Sequence, residues 1–132
     1  FPVHPRTLKK IESLTHLPEI KEFLNNDLIK KIEPVSFLDM ILLEKYAKLI
    51  LTDSGGVQKE AYFFNKPCII LRAETEWVEI LETGKAIITE ASFDKIIRAY
   101  KELYNQPNRE FPKIFGDGNA AELICKELIR NK

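Results

Sequence analysis

Metal chemistry has little to work with in these 132 residues, which carry two cysteines and two histidines. Cys68 and Cys125 are far apart, and neither forms a short pair with the other, with His4 or with His16. No ligand spacing emerges, so no metal site and no cofactor are expected. Cys68 sits in the apolar run Pro67-Cys-Ile-Ile-Leu71 and reads as a buried thiol, the usual state in a reducing cytoplasmic setting. An excess of one charge is also missing: Lys+Arg and Asp+Glu stand at 20 each. That balance removes the field that draws chains to nucleic acid or to anionic membranes, and neither partner is expected. No apolar run approaches a membrane span, and no stretch reads as a secretory leader. Repeats and low-complexity linkers are absent too. What remains, 45% hydrophobic and 30% charged residues, fits one globular domain. The chain opens on Phe1-Pro-Val-His4 with no initiator Met, as if a strand were already under way, so a piece of a longer protein is expected.

Short apolar runs alternate with longer amphipathic ones. Strands are predicted at Phe1–His4, Ile29–Glu33, Lys48–Thr52, Pro67–Leu71 and Ala86–Ile88. Helices are predicted near Leu8–Leu14, Pro18–Asn25, Phe37–Tyr46, Val57–Phe64, Glu76–Glu82, Phe93–Tyr104 and Ala120–Arg130. In the third of these, Phe37, Leu38, Ile41, Leu42 and Tyr46 fall at helical spacing. The near-continuous apolar runs at 48–52 and 67–71 suit parallel strands covered on both faces. Alternation of this kind implies an α/β fold, a doubly wound parallel sheet of Rossmann-like type. Loops are expected at Asn105-Gln-Pro-Asn108 and Phe115-Gly-Asp-Gly118. Ligands of such sheets bind at the carboxyl ends of the strands.

The richest segment is Leu51-Thr-Asp-Ser-Gly-Gly-Val-Gln-Lys-Glu-Ala61. A buried strand ends in Asp-Ser-Gly-Gly and a helix starts at once. Gly55 and Gly56 let a ligand approach the backbone closely. The helix-start N–H groups, the helix dipole and the Ser54 hydroxyl together favour a phosphate. The plainer alternative is a tight turn with Ser54 as N-cap. Glu60 fits no capping box counted from Ser54, because that box would place its acid at position 57. A carboxylate in the first helical turn, beside a diphosphate, can accept hydrogen bonds from ribose hydroxyls. Alternatively it is a solvated charge next to Lys59.

This segment closely resembles the signature of non-hydrolysing UDP-N-acetylglucosamine 2-epimerases. Further pieces fall in the family's order: Pro2-Val-His-Pro-Arg-Thr7, Glu33-Pro34, Lys66-Pro67, Arg72 with Thr75-Glu76, Glu79, Gly84 and Gly116-Asp-Gly118. The resemblance implies the second half of a two-domain GT-B-type architecture, with residues 1–132 as a UDP-binding C-terminal domain. The first strand of that domain, central in the doubly wound order, and the whole first domain are not in the sequence, and a fragment is the favoured reading. The implied reaction inverts C2 of the sugar by eliminating UDP and adding it back, in the cytoplasm, as a homodimer serving cell-surface polysaccharide biosynthesis. The acid/base carboxylates belong, by resemblance, to the first domain, so no catalytic residue is assigned here and the chain alone is expected to be inactive. Ser54, Gly55 and Gly56 match diphosphate-binding positions, Glu60 the ribose position, and Val35 and Met40 positions that help to hold the uracil.

One departure stands out. Many members have Thr-Glu-Arg-Pro-Glu where this chain has Thr75-Glu-Trp-Val-Glu79, so Trp77 replaces an arginine associated with UDP. Trp77 either stacks on the ligand or packs at the domain edge. Arg72 either takes over the charge or is a surface ion-pair residue. His4 is a ligand contact or a histidine held by neighbouring backbone. The change leaves the sugar open, and a diacetamido-uronate nucleotide is an alternative substrate. Cys125 reads as a packing residue of the last helix, and Asn119 with Glu122 as a cap with its reciprocal acid. The nearest rival is the second domain of a UDP-sugar glycosyltransferase. A phospho-receiver module fails, because Pro5-Arg-Thr7 and Thr89-Glu90 stand where its acidic pair and lysine belong.

Overall fold

The structure is a computed structural model that describes residues 1–105 and 110–130, so the loop expected at Gln106–Asn108 lies outside the described residues. The chain divides into two compact units, Phe1–Leu43 and Glu44–Lys132.

In the first unit the strands expected at Phe1–His4 and Ile29–Glu33 contract to one parallel bridge, Pro2 with Ile32. Val3 N–H donates to the Ile32 carbonyl at 2.9 Å, and Ile32 N–H to that of Phe1 at 3.1 Å. The bridge stops at His4 because His4 already serves the next element. Its Nδ1 accepts from Arg6 N–H at 3.2 Å and caps α1 (Pro5–Ser13). Proline at the first helical position presets φ and needs no N–H partner, so α1 starts earlier than the apolar spacing predicts. At the end of α2 (Pro18–Asn25) the Lys31 ammonium donates to the carbonyls of Phe23, Leu24 and Asn26. The carbonyls of Phe23 and Asn26 also accept from the N–H groups of Asn26 and Ile29, so the ammonium adds to the backbone bonds that close the helix end.

The third helix, α3 (Phe37–Tyr46), keeps its predicted bounds, while most of the apolar residues that gave its spacing are exposed. Ser36 Oγ accepts from Asp39 N–H and donates to the Asp39 carboxylate, a cap closed in both directions. Phe37, Leu38, Leu42 and Tyr46 are all more than half exposed. Among the described residues the buried member of this helix is Glu44.

In the second unit, β1 (Ile50–Thr52), β2 (Cys68–Ile70) and β3 (Ala86–Ile88) form a parallel sheet in the order β1-β2-β3. Their side chains alternate between two cores. Ile50, Cys68, Ile70 and Ala86 join Ala61 and Tyr62 of α4 (Gly55–Phe63) and Ile80 of α5 (Val78–Glu82). Ile69 joins Ala99 and Leu103 of α6 (Phe93–Tyr104) on the opposite face. Every residue of β2 is buried, which is why its sequence lacks polar alternation. The sheet is thus wound on both sides, a Rossmann-like arrangement. Leu71 N–H bonds the Thr52 carbonyl and Thr89 N–H bonds that of Ile70, so the strands end in step. Asp53–Gly56, Arg72 and Thr89 therefore share one carboxyl edge.

The final helix, α7 (Ala120–Arg130), has no buried residue, and Cys125 is exposed instead of packed. The Asn119 N–H that a reciprocal Glu122 would take is bonded to Asp117, while Glu122 pairs with Lys126. None of the helices described is long and apolar enough to cross a membrane.

Candidate functional site

The turn after β1 is built by short-range hydrogen bonds. Ser54 N–H donates to Thr52 Oγ1 at 3.0 Å, and Ser54 Oγ accepts from Val57 N–H at 3.5 Å as the N-cap of α4. The helix begins at Gly55, two residues before the predicted start. A helix head has no intrahelical acceptor for its first N–H groups, so those of Gly55 and Gly56 face outward from the sheet edge with the positive end of the helix dipole.

Neither glycine is there for backbone reasons. Positive φ among the glycines is found at Gly84, Gly116 and Gly118, not at Gly55 or Gly56. A Cβ on Gly56 would meet nothing closer than Ser54 Oγ at 3.8 Å. On Gly55 it would stand 3.1 Å from Glu76 Oε2, the end of a flexible side chain, and 3.8 Å from Arg72 Nη1. The fold would accept alanine at either position, yet the sequence keeps two poor helix formers side by side.

Arg72 and Glu76 lie directly beside this turn. The guanidinium makes two parallel bonds to the carboxylate, 3.1 and 3.0 Å. The hydrogen bond to Glu76 raises the Arg72 pKa and the reciprocal bond lowers that of Glu76; the charges of Glu74 and Asp53 also act on Arg72. Both groups are solvent-accessible, so the pair is exchangeable for a stronger anion.

Trp77 does not present its ring for free stacking. Its indole Nε1–H donates to the Gly55 carbonyl at 2.8 Å, its ring packs edge-on against Phe115, and the Lys59 ammonium lies 4.3 Å from its centroid. Thr75 makes the link to α4: its hydroxyl donates to Gln58 Oε1 and accepts from Trp77 N–H. That turn also explains why α5 begins at Val78 instead of Glu76. Tyr62 and Phe63 stack edgewise on Phe115, and the Tyr62 hydroxyl bonds the Pro112 carbonyl at 2.6 Å, fastening residues 111–115 to α4.

Glu60 is half-buried in the second turn of α4, not in the first, because the helix starts at Gly55; no acidic residue occupies the first turn. Its role at the helix start is therefore small, since the dipole's influence fades beyond the first turn. Facing it is a residue that the sequence reading passed over. Glu44 is 2% exposed and neither of its carboxylate oxygens has a donor. Burial and the neighbouring Glu60 carboxyl push its pKa up to about 7. The available signal was a lone acid in the apolar run Ile41-Leu-Leu-Glu44. Burial first, and the charge of Glu44 second, push the Cys68 thiol up to about 12, so it stays neutral and inert.

Ser54, Gly55, Gly56, Glu60, Arg72 and Trp77 thus all belong to the second unit and to its carboxyl edge or the helix leaving it. Val35, Met40 and His4 belong to the first unit. There Val35 is half-buried ahead of α3, Met40 is half-buried within it, and His4 caps α1. No group of three or more metal-ligating side chains occurs among the described residues.

The family model described as UDP-N-acetylglucosamine 2-epimerase matches residues 1–129. A UDP-N-acetylglucosamine 2-epimerase homolog of Methanococcus maripaludis is 46% identical over 99% of the chain, which spans 35% of that relative. The UDP-2,3-diacetamido-2,3-dideoxy-D-glucuronate 2-epimerase of Pseudomonas aeruginosa is 37% identical over 98% of the chain and 34% of its own length. Among solved structures, the Methanocaldococcus jannaschii UDP-GlcNAc 2-epimerase in complex with UDP-GlcNAc and UDP superposes with a TM-score of 0.81 at 41% identity. That match covers 98% of this chain and 35% of the other. With its signature turn at the carboxyl edge and the family model matched along residues 1–129, the chain belongs to the UDP-N-acetylglucosamine 2-epimerase family.

Proposed function

We propose that residues 1–132 are the UDP-binding domain of an enzyme that interconverts UDP-N-acetylglucosamine and UDP-N-acetylmannosamine, working as a cytoplasmic homodimer. In the reaction a base removes the C2 proton while the C1–O bond to UDP breaks, leaving a C1=C2 glycal. A proton is then delivered to the other face of C2, and the β-phosphate oxygen of UDP rebonds to C1. The acid and base lie outside this chain. Its part is to hold UDP, stabilise the charge that develops on the leaving diphosphate, and keep UDP in place between the two steps. The Gly55 and Gly56 N–H groups, the Ser54 hydroxyl and Arg72 receive the diphosphate, Glu60 the ribose, and Val35 and Met40 the uracil. His4 contacts no ligand in this scheme, and Trp77 braces the turn without stacking on the ligand.

The observation that carries the reading is the pair of glycines at a helix head where the fold has room for side chains. Space kept open at unsatisfied N–H groups suits a phosphate. The test is Glu60→Gln in the full-length enzyme, titrated with UDP. Losing hydrogen bonds to a charged acceptor costs about 1.5–3 kcal/mol, which corresponds to roughly a tenfold to hundredfold weaker Kd. Unchanged UDP affinity in a folded variant removes Glu60 from the ribose site.

The Pseudomonas relative supports a second reading of the sugar, in which the substrate is a diacetamido-uronate nucleotide, and Trp77 in place of the family arginine keeps it open. Assaying both UDP-sugars with the full-length enzyme decides between them.

A further inference from the structure

We infer that Glu44 is a positioning residue for the nucleotide site: its protonated carboxyl donates a hydrogen bond to Glu60 and holds that carboxylate in the orientation that receives the ribose hydroxyls. The inference rests on the assignment of Glu60 to the ribose.

Glu44 is the least explained polar group in the second unit. It is 2% exposed on a helix whose other residues are not buried, and neither oxygen has a donor. A buried carboxylate without partners is costly, and a buried carboxylic acid facing a carboxylate is not. Two ionised carboxylates offer acceptors only, so the Glu44–Glu60 contact closes as a hydrogen bond only when one proton is shared between them. Among the described residues, the Glu60 carboxyl on α4 acts on Glu44, and Glu44 acts on the Cys68 thiol on β2. The thiol remains neutral throughout the accessible range, because burial and Glu44 push it up to about 12. The proton belongs on Glu44, the more deeply buried of the two carboxyls.

A consequence for binding follows from charge. With the proton in place, one Glu60 oxygen is occupied by Glu44 and the other is left to accept from the ribose. Once the proton leaves, two like charges oppose each other behind the ribose, and both oppose the diphosphate. Burial and Glu60 set the loss of that proton at about pH 7. UDP affinity therefore falls as pH rises through that value, and bound UDP draws a proton onto the pair.

The experiment compares the full-length parent, Glu44→Gln and Glu60→Gln, each titrated with UDP from pH 6 to pH 8. The glutamine amide donates to Glu60 at every pH. The phosphate titration of UDP itself is common to all three proteins and cancels in the ratio of their dissociation constants. Parent and Glu44→Gln should bind alike at the lower pH, and the parent should fall behind by about tenfold at the upper one. A ratio that stays constant across the range, with Glu60→Gln still weakened, overturns the role of Glu44 and leaves the ribose assignment standing. If Glu60→Gln binds as well as the parent, the ribose assignment fails and this inference with it. Should Glu44→Gln not fold, calorimetry on the parent alone decides. At the upper pH, binding heats in buffers of different ionisation enthalpy should reveal proton uptake on UDP binding, and zero uptake refutes the proposal.

Discussion

Gly56→Ala should move stability and affinity in opposite directions. Gly56 is the second residue of α4, its φ is ordinary, and a methyl group there meets only Ser54 Oγ at 3.8 Å. Replacing a glycine whose backbone alanine can adopt stabilises a protein by about 0.4–1 kcal/mol, mainly by removing conformations from the unfolded chain. The ligand-free variant should therefore melt slightly later than the parent. In the proposed site the same methyl group would stand between the diphosphate and the N–H groups at the helix head. Displacing one charge-assisted hydrogen bond costs about 1.5–3 kcal/mol, a weakening of UDP binding of roughly tenfold to hundredfold. Thermal unfolding without ligand reads the first effect and a UDP titration the second. A variant that melts later and binds UDP as tightly as the parent would show that the space at Gly56 is not kept for a ligand. One that melts earlier would refute the packing argument itself.

Four further outcomes are expected. The folded-state pKa of Glu44, raised from 4.5 to about 7, makes its contribution to stability fully present below about pH 4.5 and lost as pH rises through 7. At 1.36 kcal/mol per unit the loss is roughly 3 kcal/mol; urea unfolding at pH 5 and pH 8 should show it in the parent and not in Glu44→Gln, and parallel profiles would contradict it. Trp77→Phe removes the bond to the Gly55 carbonyl and should cost about 1 kcal/mol in denaturant unfolding, with no change meaning that the bond is replaced by water. Arg72→Ala should weaken UDP binding and flatten its salt dependence, whereas Glu76→Ala, by freeing the guanidinium, should tighten it a few fold; equal affinities in all three proteins would place the diphosphate elsewhere. The isolated chain incubated with UDP-N-acetylglucosamine in deuterated water should give no deuterium at C2 by NMR, and exchange there would locate acid/base chemistry in residues 1–132.

Much of the second unit could be read in advance because its signals are local. Pro67–Leu71 is apolar throughout, and a strand buried on both faces has no other way to look; the observed β2 lies inside those bounds. Phe93–Tyr104 carries both its period and its cap, Ser92, within one stretch of chain. Asp53–Gly56 announced a strand-to-helix turn because the glycines, the serine and the end of the apolar run are adjacent. Two of the failures, in α3 and at Trp77, have the opposite cause. In α3 the apolar spacing marked a helix but not which side is covered, since that depends on what packs there, and the residue buried is Glu44. The starts of α1 and α4 came earlier than periodicity suggested because His4 and Ser54 cap them, and a cap shifts the first turn without any apolar signal. Trp77 looked like an orphan replacement in the motif, since a hydrogen bond spanning from 77 back to 55 has no trace in spacing.

The indole of Trp77 gives the turn a property that two adjacent glycines would otherwise remove. A Gly-Gly helix head is the loosest start a helix can have, and ordering it on contact with a ligand would subtract entropy from the affinity. Here the first carbonyl is tied to a ring that is itself wedged against Phe115 beneath the Lys59 ammonium, and the residue before the glycines is tied to Thr52. The N–H groups are aimed before any anion arrives. Small residues thus provide the room while distant large ones provide the rigidity, and a ligand reaching this turn would not have to order it first.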